Sequence, residues 1–193
     1  MGDLRSIPPE ILSAPVAGVN LIPGPLRSQL AAGGTLLVFL RQLGCTFCRE
    51  TVAELRSAAT ADSSYPPVLF FFMGSPREGR AFMQRYWPAA RAVSDPAKRF
   101  YAAFGIERGG LLQMFGPAVW RAKQRAAAKG HSNGERIGDL WMLPGIFVVR
   151  DERIAWAHEP RHAADHPDFR SIPVVSGLRS EAPGRVPSAA PAP

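Results

Sequence analysis

Two unbroken apolar runs dominate the pattern of the chain. Thr35 to Leu40, bounded by Gly33-Gly34 and Arg41, and Val68 to Met73, opened by Pro66-Pro67, lack polar alternation and so predict strands buried on both faces. Between them, Gly44 to Cys48 predicts a turn, and Arg49 to Ala61 has helical spacing with Val52, Leu55 and Ala59 inward. Ser75 as cap and Pro76 in the first helical position predict a helix to about Tyr86 that buries Phe82 and Met83. Val93 marks a short strand. Asp95-Pro96 predicts the start of another helix, with Phe100, Tyr101 and Phe104 on one side and Gly105 at its end. Leu111 to Lys129 predicts one longer helix closed by Gly130, followed by a polar, glycine-rich loop to Gly138. Ile146–Val149 and Ile154–Ala157, joined by Arg150 to Arg153, predict a β-hairpin with Asp151-Glu152 in a solvated turn.

Parallel strands joined by a crossover helix belong in a sheet covered on both faces, and a terminal hairpin makes that sheet mixed. The predicted fold class is an α/β sandwich with helices on both faces of a mixed central sheet. Residues 1–34, rich in Pro and Gly, are expected to be an irregular lead-in with a short helix near 24–32. Residues 35–175 are expected to form the domain, with a helical insertion at about 107–142. A final helix after the hairpin is left open, and residues 176–193, with four prolines, are expected to be a disordered tail.

Composition changes this picture little. The chain has 193 residues, 46% apolar and 20% charged, enough for one domain with a sizeable core. Its net charge of +7 comes almost wholly from arginine, since only Lys98, Lys123 and Lys129 are lysines. The arginines are dispersed and no basic block interleaves with aromatics, so the charge does not read as a nucleic-acid footprint. No apolar stretch is long enough to span a membrane. Residues 1–20 lack the basic flank and apolar run of a signal peptide, so a cytoplasmic protein with reduced cysteines is expected.

Cys45-Thr46-Phe47-Cys48 follows a buried strand and opens a helix. A cysteine in the first turn meets free backbone N–H groups and the positive end of the helix dipole, which favour thiolate over thiol. Cys48 lies about one turn on, within reach of a disulfide. Arg41 and Arg49 flank the pair and add positive potential. The predicted catalytic residues are Cys45 and Cys48, with Arg41, Thr46, Phe47, Arg49, Trp141 and Pro144 as substrate contacts. Pro144 enters the last predicted strand pair. A cis bond there would turn the preceding backbone toward the cysteines, and a trans proline would merely start the strand. Two other readings of the cysteines stand beside redox chemistry. They are buried structural thiols, or a metal site completed by His158, His162 and His166, whose shared face Pro160 and Pro167 interrupt. The redox reading requires neither cofactor nor metal.

These pieces resemble the thioredoxin-like superfamily, and within it the peroxiredoxin-like proteins of the alkyl hydroperoxide reductase/thiol-specific antioxidant group. The likeness rests on Leu36–Arg41 leading to Cys45–Glu50, the strand into Gly74-Ser75-Pro76, Ser94-Asp95-Pro96 with Tyr101–Ile106, and Leu143–Val149 followed by Ile154-Ala155-Trp156. It implies a thioredoxin-like fold over roughly 35–172. The active-site pattern departs from both relatives. Peroxiredoxins carry Pro-x-x-x-Thr-x-x-Cys; counted from Cys48 those positions hold Arg41 and Cys45, and from Cys45 they hold Val38 and Gln42. Pro144 stands where peroxiredoxins commonly place an arginine, and Gly44 replaces the tryptophan that precedes thioredoxin's first cysteine. The resemblance implies a dithiol mechanism. Cys45 as thiolate attacks a disulfide or a peroxide, Cys48 resolves the product, and an external thiol restores the pair. The roles reverse if Cys48 takes the peroxiredoxin position. A non-catalytic binding or redox-sensing module is the alternative, and a homodimer is compatible with either.

Overall fold

The computed structural model describes residues 5–130, 134 and 136–172. Its seven strands and six α-helices follow in chain order as β1 (Arg5–Ser6), α1 (Pro9–Leu12), β2 (Gly18–Val19), β3 (Thr35–Phe39), α2 (Thr46–Ala61), β4 (Val68–Phe72), α3 (Pro76–Tyr86), β5 (Arg91–Ser94), α4 (Arg99–Ala103), α5 (Leu111–Phe115), α6 (Pro117–Ala128), β6 (Gly145–Arg150) and β7 (Arg153–His158). All form one sheet in the order β1-β7-β6-β3-β4-β5-β2. Strands β3, β4 and β5 are parallel, while β6, β7 and both outermost strands join antiparallel.

The uninterrupted apolar runs follow from burial on both sides. Alternate residues of β3 and β4 point to opposite faces. Leu36, Val38, Phe70 and Phe72 pack with Val52, Leu55, Phe82 and Met83 of α2 and α3 on one face. Leu37, Phe39, Leu69 and Phe71 pack with Phe100, Tyr101 and Phe104 on the other. Phe39 stacks on Phe71 at 4.3 Å and meets the Tyr101 ring edge-on at 5.0 Å, contacts worth roughly 0.5–1.5 kcal/mol each beyond burial. The Tyr101 hydroxyl lies 2.6 Å from the Leu40 carbonyl and 3.0 Å from that of Phe71, tying together the strand ends that precede the cysteine turn.

Helix α3 has the capping box its sequence predicts, with Ser75 and Glu78 exchanging bonds with each other's backbone N–H. It also comes unusually close to the sheet. A Cβ on Gly79 would lie 2.0 Å from the ring of fully buried Phe72. Gly79→Ala is expected to destabilise the protein by about 1–3 kcal/mol through overpacking, read as a lower thermal unfolding midpoint.

Four expectations change. The lead-in is not irregular throughout: β1 pairs with β7 and β2 with β5, because both outer strands of the sheet leave unpaired backbone groups for it to satisfy. Its expected helix near 24–32 is a 3-10 turn at Leu26–Gln29. The helix expected from Asp95-Pro96 starts at Arg99, since Lys98 is left-handed (φ 58°) and the Asp95 carboxylate accepts from the N–H groups of Arg99, Phe100 and Tyr101. The single helix over 111–129 is two, α5 and α6. Pro117 has no N–H to extend α5 and instead occupies the first turn of α6. The hairpin turn Asp151-Glu152 has positive φ at both residues, as a two-residue connection requires. Among the described residues, 159–172 hold turns and no helix, and the expected tail at 176–193 lies outside the described residues. No helix among the described residues is long and apolar enough to cross a membrane.

Candidate active site

Helix α2 begins at Thr46, one turn earlier than the hydrophobic spacing indicates, so Cys45 is its N-cap and Cys48 lies in its first turn. The preceding turn is fixed from across the chain. Leu43 N–H donates to Ile137, Gly134 N–H to Gly44, and Asp139 N–H to Arg41. Both cysteines are free thiols, with Cys45 8% and Cys48 5% exposed.

Arg41 is the unexpected centre of this arrangement. It is 3% exposed, and its guanidinium reaches Met142 O at 2.6 Å, Ala163 O at 3.1 Å, the Leu140 carbonyl, and Cys45 Sγ at 3.6 Å. Among the described residues no carboxylate pairs with it. A buried cation held only by neutral groups, here three carbonyls and the Met114 thioether, is stabilised by any anion that forms beside it, and among the described residues the ionisable group it touches is the Cys45 sulfur.

The two sulfurs therefore differ. The Cys48 thiol donates to Cys45 and is the largest influence on it. Burial opposes ionisation, but Arg41 and the N–H groups of Cys48 and Phe47 add to the Cys48 bond and lower the Cys45 pKa to about 6. Cys48 is pushed up, because it supplies the proton of that bond, is buried, and faces the Cys45 charge. The two thiols titrate as one coupled pair, in which Cys45 is drawn toward the thiolate and Cys48 toward the thiol.

Cys45 opens into a cavity of about 240 Å³ walled by Arg41, Thr46 and Phe47 on one side and by α5, α6, Gly134, Arg136 and Leu140 on the other. Cys48 faces instead a small space of about 20 Å³ beside Pro144 and Ala163–His166. Of the sequence-predicted contacts, Arg41, Thr46 and Phe47 stand around Cys45. Pro144 is on the Cys48 side, and its preceding peptide bond is trans. Trp141 packs edge-on against Phe115 at 5.5 Å, behind the cavity wall, and the Arg49 guanidinium sits 5.4 Å from the centre of the Tyr86 ring. A larger groove of about 730 Å³ borders β6 and β7 and contains neither cysteine.

Sequence reasoning missed the cavity's outer wall, formed by Met114, Phe115, Val119 and Lys123. The sequence signal for that wall is the density of large apolar residues over 111–120, of which Leu111, Leu112, Phe115 and Trp120 stay exposed. Helix α6 is anchored to α2 by Glu50, whose buried carboxylate accepts from Lys129 at 2.8 Å and Arg125 at 3.3 Å. Burial opposes ionisation of Glu50, but the two cations outweigh it and hold its pKa below the usual carboxylate range.

The histidine segment approaches the site through its backbone, with the Ala163 carbonyl on Arg41. Among the described residues no grouping with ligand-like spacing joins the cysteines to His158, His162 or His166. Among the described residues the grouping with ligand-like spacing is Glu50, Glu54 and His166, and Lys129 already bonds both carboxylates.

Comparison with known proteins places this geometry. No curated protein sequence matches the chain. Among solved structures it is similar to Xanthomonas campestris peroxiredoxin Q (16% identity, TM-score 0.61, covering 91% of this chain and 95% of that one). It is also similar to a mutant of Xylella fastidiosa PrxQ (14%, 0.62, 93% and 96%) and to peroxidoxin BcpB from Mycobacterium tuberculosis (16%, 0.56, 82% and 86%). These likenesses establish the thioredoxin-like peroxiredoxin fold. The family model for AhpC/TSA antioxidant enzymes matches residues 54–162, more than half of the chain, beginning beyond both cysteines. The chain belongs to the AhpC/TSA family of antioxidant enzymes.

Proposed function

We propose that this enzyme reduces peroxides with Cys45 as the attacking thiolate and Cys48 as the resolving thiol. The observation that carries the reading is the contact between the Arg41 guanidinium, buried without a carboxylate partner among the described residues, and Cys45 Sγ. The Cys45 thiolate attacks the terminal peroxide oxygen, the O–O bond breaks, and the alkoxide leaves as alcohol after taking a proton. Cys48 then displaces water from the Cys45 sulfenic acid to give a Cys45–Cys48 disulfide. Two electrons and two protons from an external thiol reductant return the pair to its starting form.

Burial favours peroxide over protein disulfide as the substrate. Cys45 is 8% exposed at the wall of a 240 Å³ cavity, which suits a small oxidant better than an extended polypeptide. Thr46 and Phe47 line the approach. Trp141 and Pro144 act at one remove, behind Phe115 and beside Cys48, and Arg49 reaches the Tyr86 ring and Gly134 of the cavity wall. The free dithiol is the form a reducing cytoplasm maintains, and the reading includes that location. A homodimer draws support from the exposed Leu111, Leu112 and Trp120.

Two assays on the full chain test this. Hydrogen peroxide consumption with dithiothreitol as reductant is expected to be catalytic, and insulin reduction is expected to stay at the uncatalysed rate. Insulin turnover without peroxide consumption would make the protein a disulfide oxidoreductase, and activity in neither assay would leave a binding or sensing module.

A further inference from the structure

Two sulfurs share the Arg41 guanidinium. One terminal nitrogen lies 3.6 Å from Cys45 Sγ and the other 3.7 Å from Met114 Sδ. Met114 lines the cavity into which Cys45 opens, and the peroxidase reading makes no use of it. It sits on α5, packed with Val119 and Ala163, and is only 3% exposed. Two other buried methionines supply the contrast. Met83 is 0% and Met142 5% exposed, and neither lines that cavity. Surface exposure does not separate the three, whereas access from the cavity does.

A thioether is oxidised by peroxide to the sulfoxide. While Cys45 is a thiolate it is the stronger nucleophile and takes the incoming peroxide. Once the cysteines form a disulfide and the external thiol is exhausted, Met114 is the sulfur of that lining still open to oxidation. The product suits its surroundings. A sulfoxide oxygen is a far better acceptor than a thioether, and it would be costly to bury without a donor. Arg41 is a buried cation with neutral partners and supplies that donor at the site.

We infer that Met114 is a second site of peroxide oxidation, converted to its sulfoxide on Arg41 when the cysteine pair is spent, and that the new oxygen weakens the hold of the guanidinium on Cys45. The inference rests on the peroxidase reading for the entry of peroxide and for the order of events. The Met114 sulfur gives an electron pair to the terminal oxygen of a hydroperoxide, and the S–O bond forms as the O–O bond breaks. The leaving alkoxide takes the proton of the transferred oxygen. The thioether is oxidised by two electrons and the hydroperoxide is reduced to an alcohol, or to water from hydrogen peroxide. The sulfoxide dipole then puts partial negative charge against the guanidinium, and Cys45 loses part of the positive field that favours its thiolate.

The test exposes the full chain to hydrogen peroxide without thiol and follows each methionine by peptide mass spectrometry. Met114 is expected to gain oxygen roughly tenfold or more faster than Met83 and Met142. The same order is expected in the double variant Cys45→Ser, Cys48→Ser, which has no thiol chemistry. A second readout uses wild-type protein whose cysteines have been returned to thiols with dithiothreitol, which leaves the sulfoxide in place. Its thiolate absorbance is expected to titrate about half a pH unit or more above that of unoxidised protein. In Met114→Leu, which keeps a similar side-chain volume, peroxide treatment is expected to leave the titration where it was. Oxidation of Met114 no faster than that of Met83 and Met142 would overturn the inference, as would a titration unmoved by the sulfoxide or moved equally in Met114→Leu. Peroxide turnover without selective Met114 oxidation defeats this inference alone. Selective oxidation in the double variant, with no peroxide turnover by the wild type, defeats the peroxidase reading alone.

Discussion

Cys45→Ser is expected to abolish peroxide turnover, and Cys48→Ser, with no external thiol present, to stop at the sulfenic acid after one peroxide. A serine hydroxyl at position 45 stays protonated at neutral pH, and the thiolate is the nucleophile, so the loss should be at least a thousandfold. Serine at position 48 leaves the attacking sulfur and a hydroxyl donor beside it, but it cannot form a disulfide. That variant should consume one peroxide per chain and accumulate Cys45 sulfenic acid, which dimedone labelling and mass spectrometry detect. The assignment follows from the site's asymmetry: Cys45 faces the 240 Å³ cavity with its pKa lowered to about 6, and Cys48 lies behind it with its pKa raised. A single-turnover burst in Cys45→Ser with sulfenic acid on Cys48 would reverse the two roles.

Arg41→Gln is expected to move the pH–rate profile in the alkaline direction. The active form is the thiolate, so the wild-type rate should rise with pH through about 6 and level off, leaving roughly nine-tenths of Cys45 ionised at pH 7. Removing the opposite charge at 3.6 Å raises that pKa by about one unit or more, since burial still opposes ionisation. The rate should fall by roughly half to tenfold or more at pH 7 and recover toward wild type near pH 9. The Cys48 thiol contributes more to ionisation than Arg41 does, so Cys48→Ala should shift the thiolate titration further than Arg41→Gln. Cys48→Ser, whose hydroxyl still donates, should shift it less than Cys48→Ala. Ultraviolet thiolate absorbance measures all three without turnover. An unchanged titration in Arg41→Gln would remove the guanidinium from the account. The same substitution deprives the carbonyls of Leu140, Met142 and Ala163 of donors, at a cost of about 1–3 kcal/mol in stability.

Much of this architecture is legible from local rules. The unbroken apolar runs identify β3 and β4 because a strand covered on both faces has no polar side to display. Ser75-Pro76 with Glu78 fixes the start of α3, and the spacing of two short runs gives the β6–β7 hairpin. Positions decided by distant partners were less legible. The first and second strands exist only because the outer strands of the sheet offer backbone groups to pair with, and the break at Gly116-Pro117 outweighs a helical composition that continues through it. In the sequence Arg41 reads as a flanking charge, but its role depends on carbonyls about 100 and 122 positions away, which no local pattern encodes.

The sequence by itself determined that a cysteine pair opens a helix behind a buried strand, because strand burial, helix capping and one-turn spacing all act within a few residues. The tertiary structure alone decided how the two sulfurs differ. It carries the backbone of 140–142 and 163 to one side of Arg41, directs the guanidinium onto Cys45, and closes α5 and α6 over that sulfur. Charge stabilisation depends on distance in space and on exclusion of water, and both are properties of the packed molecule.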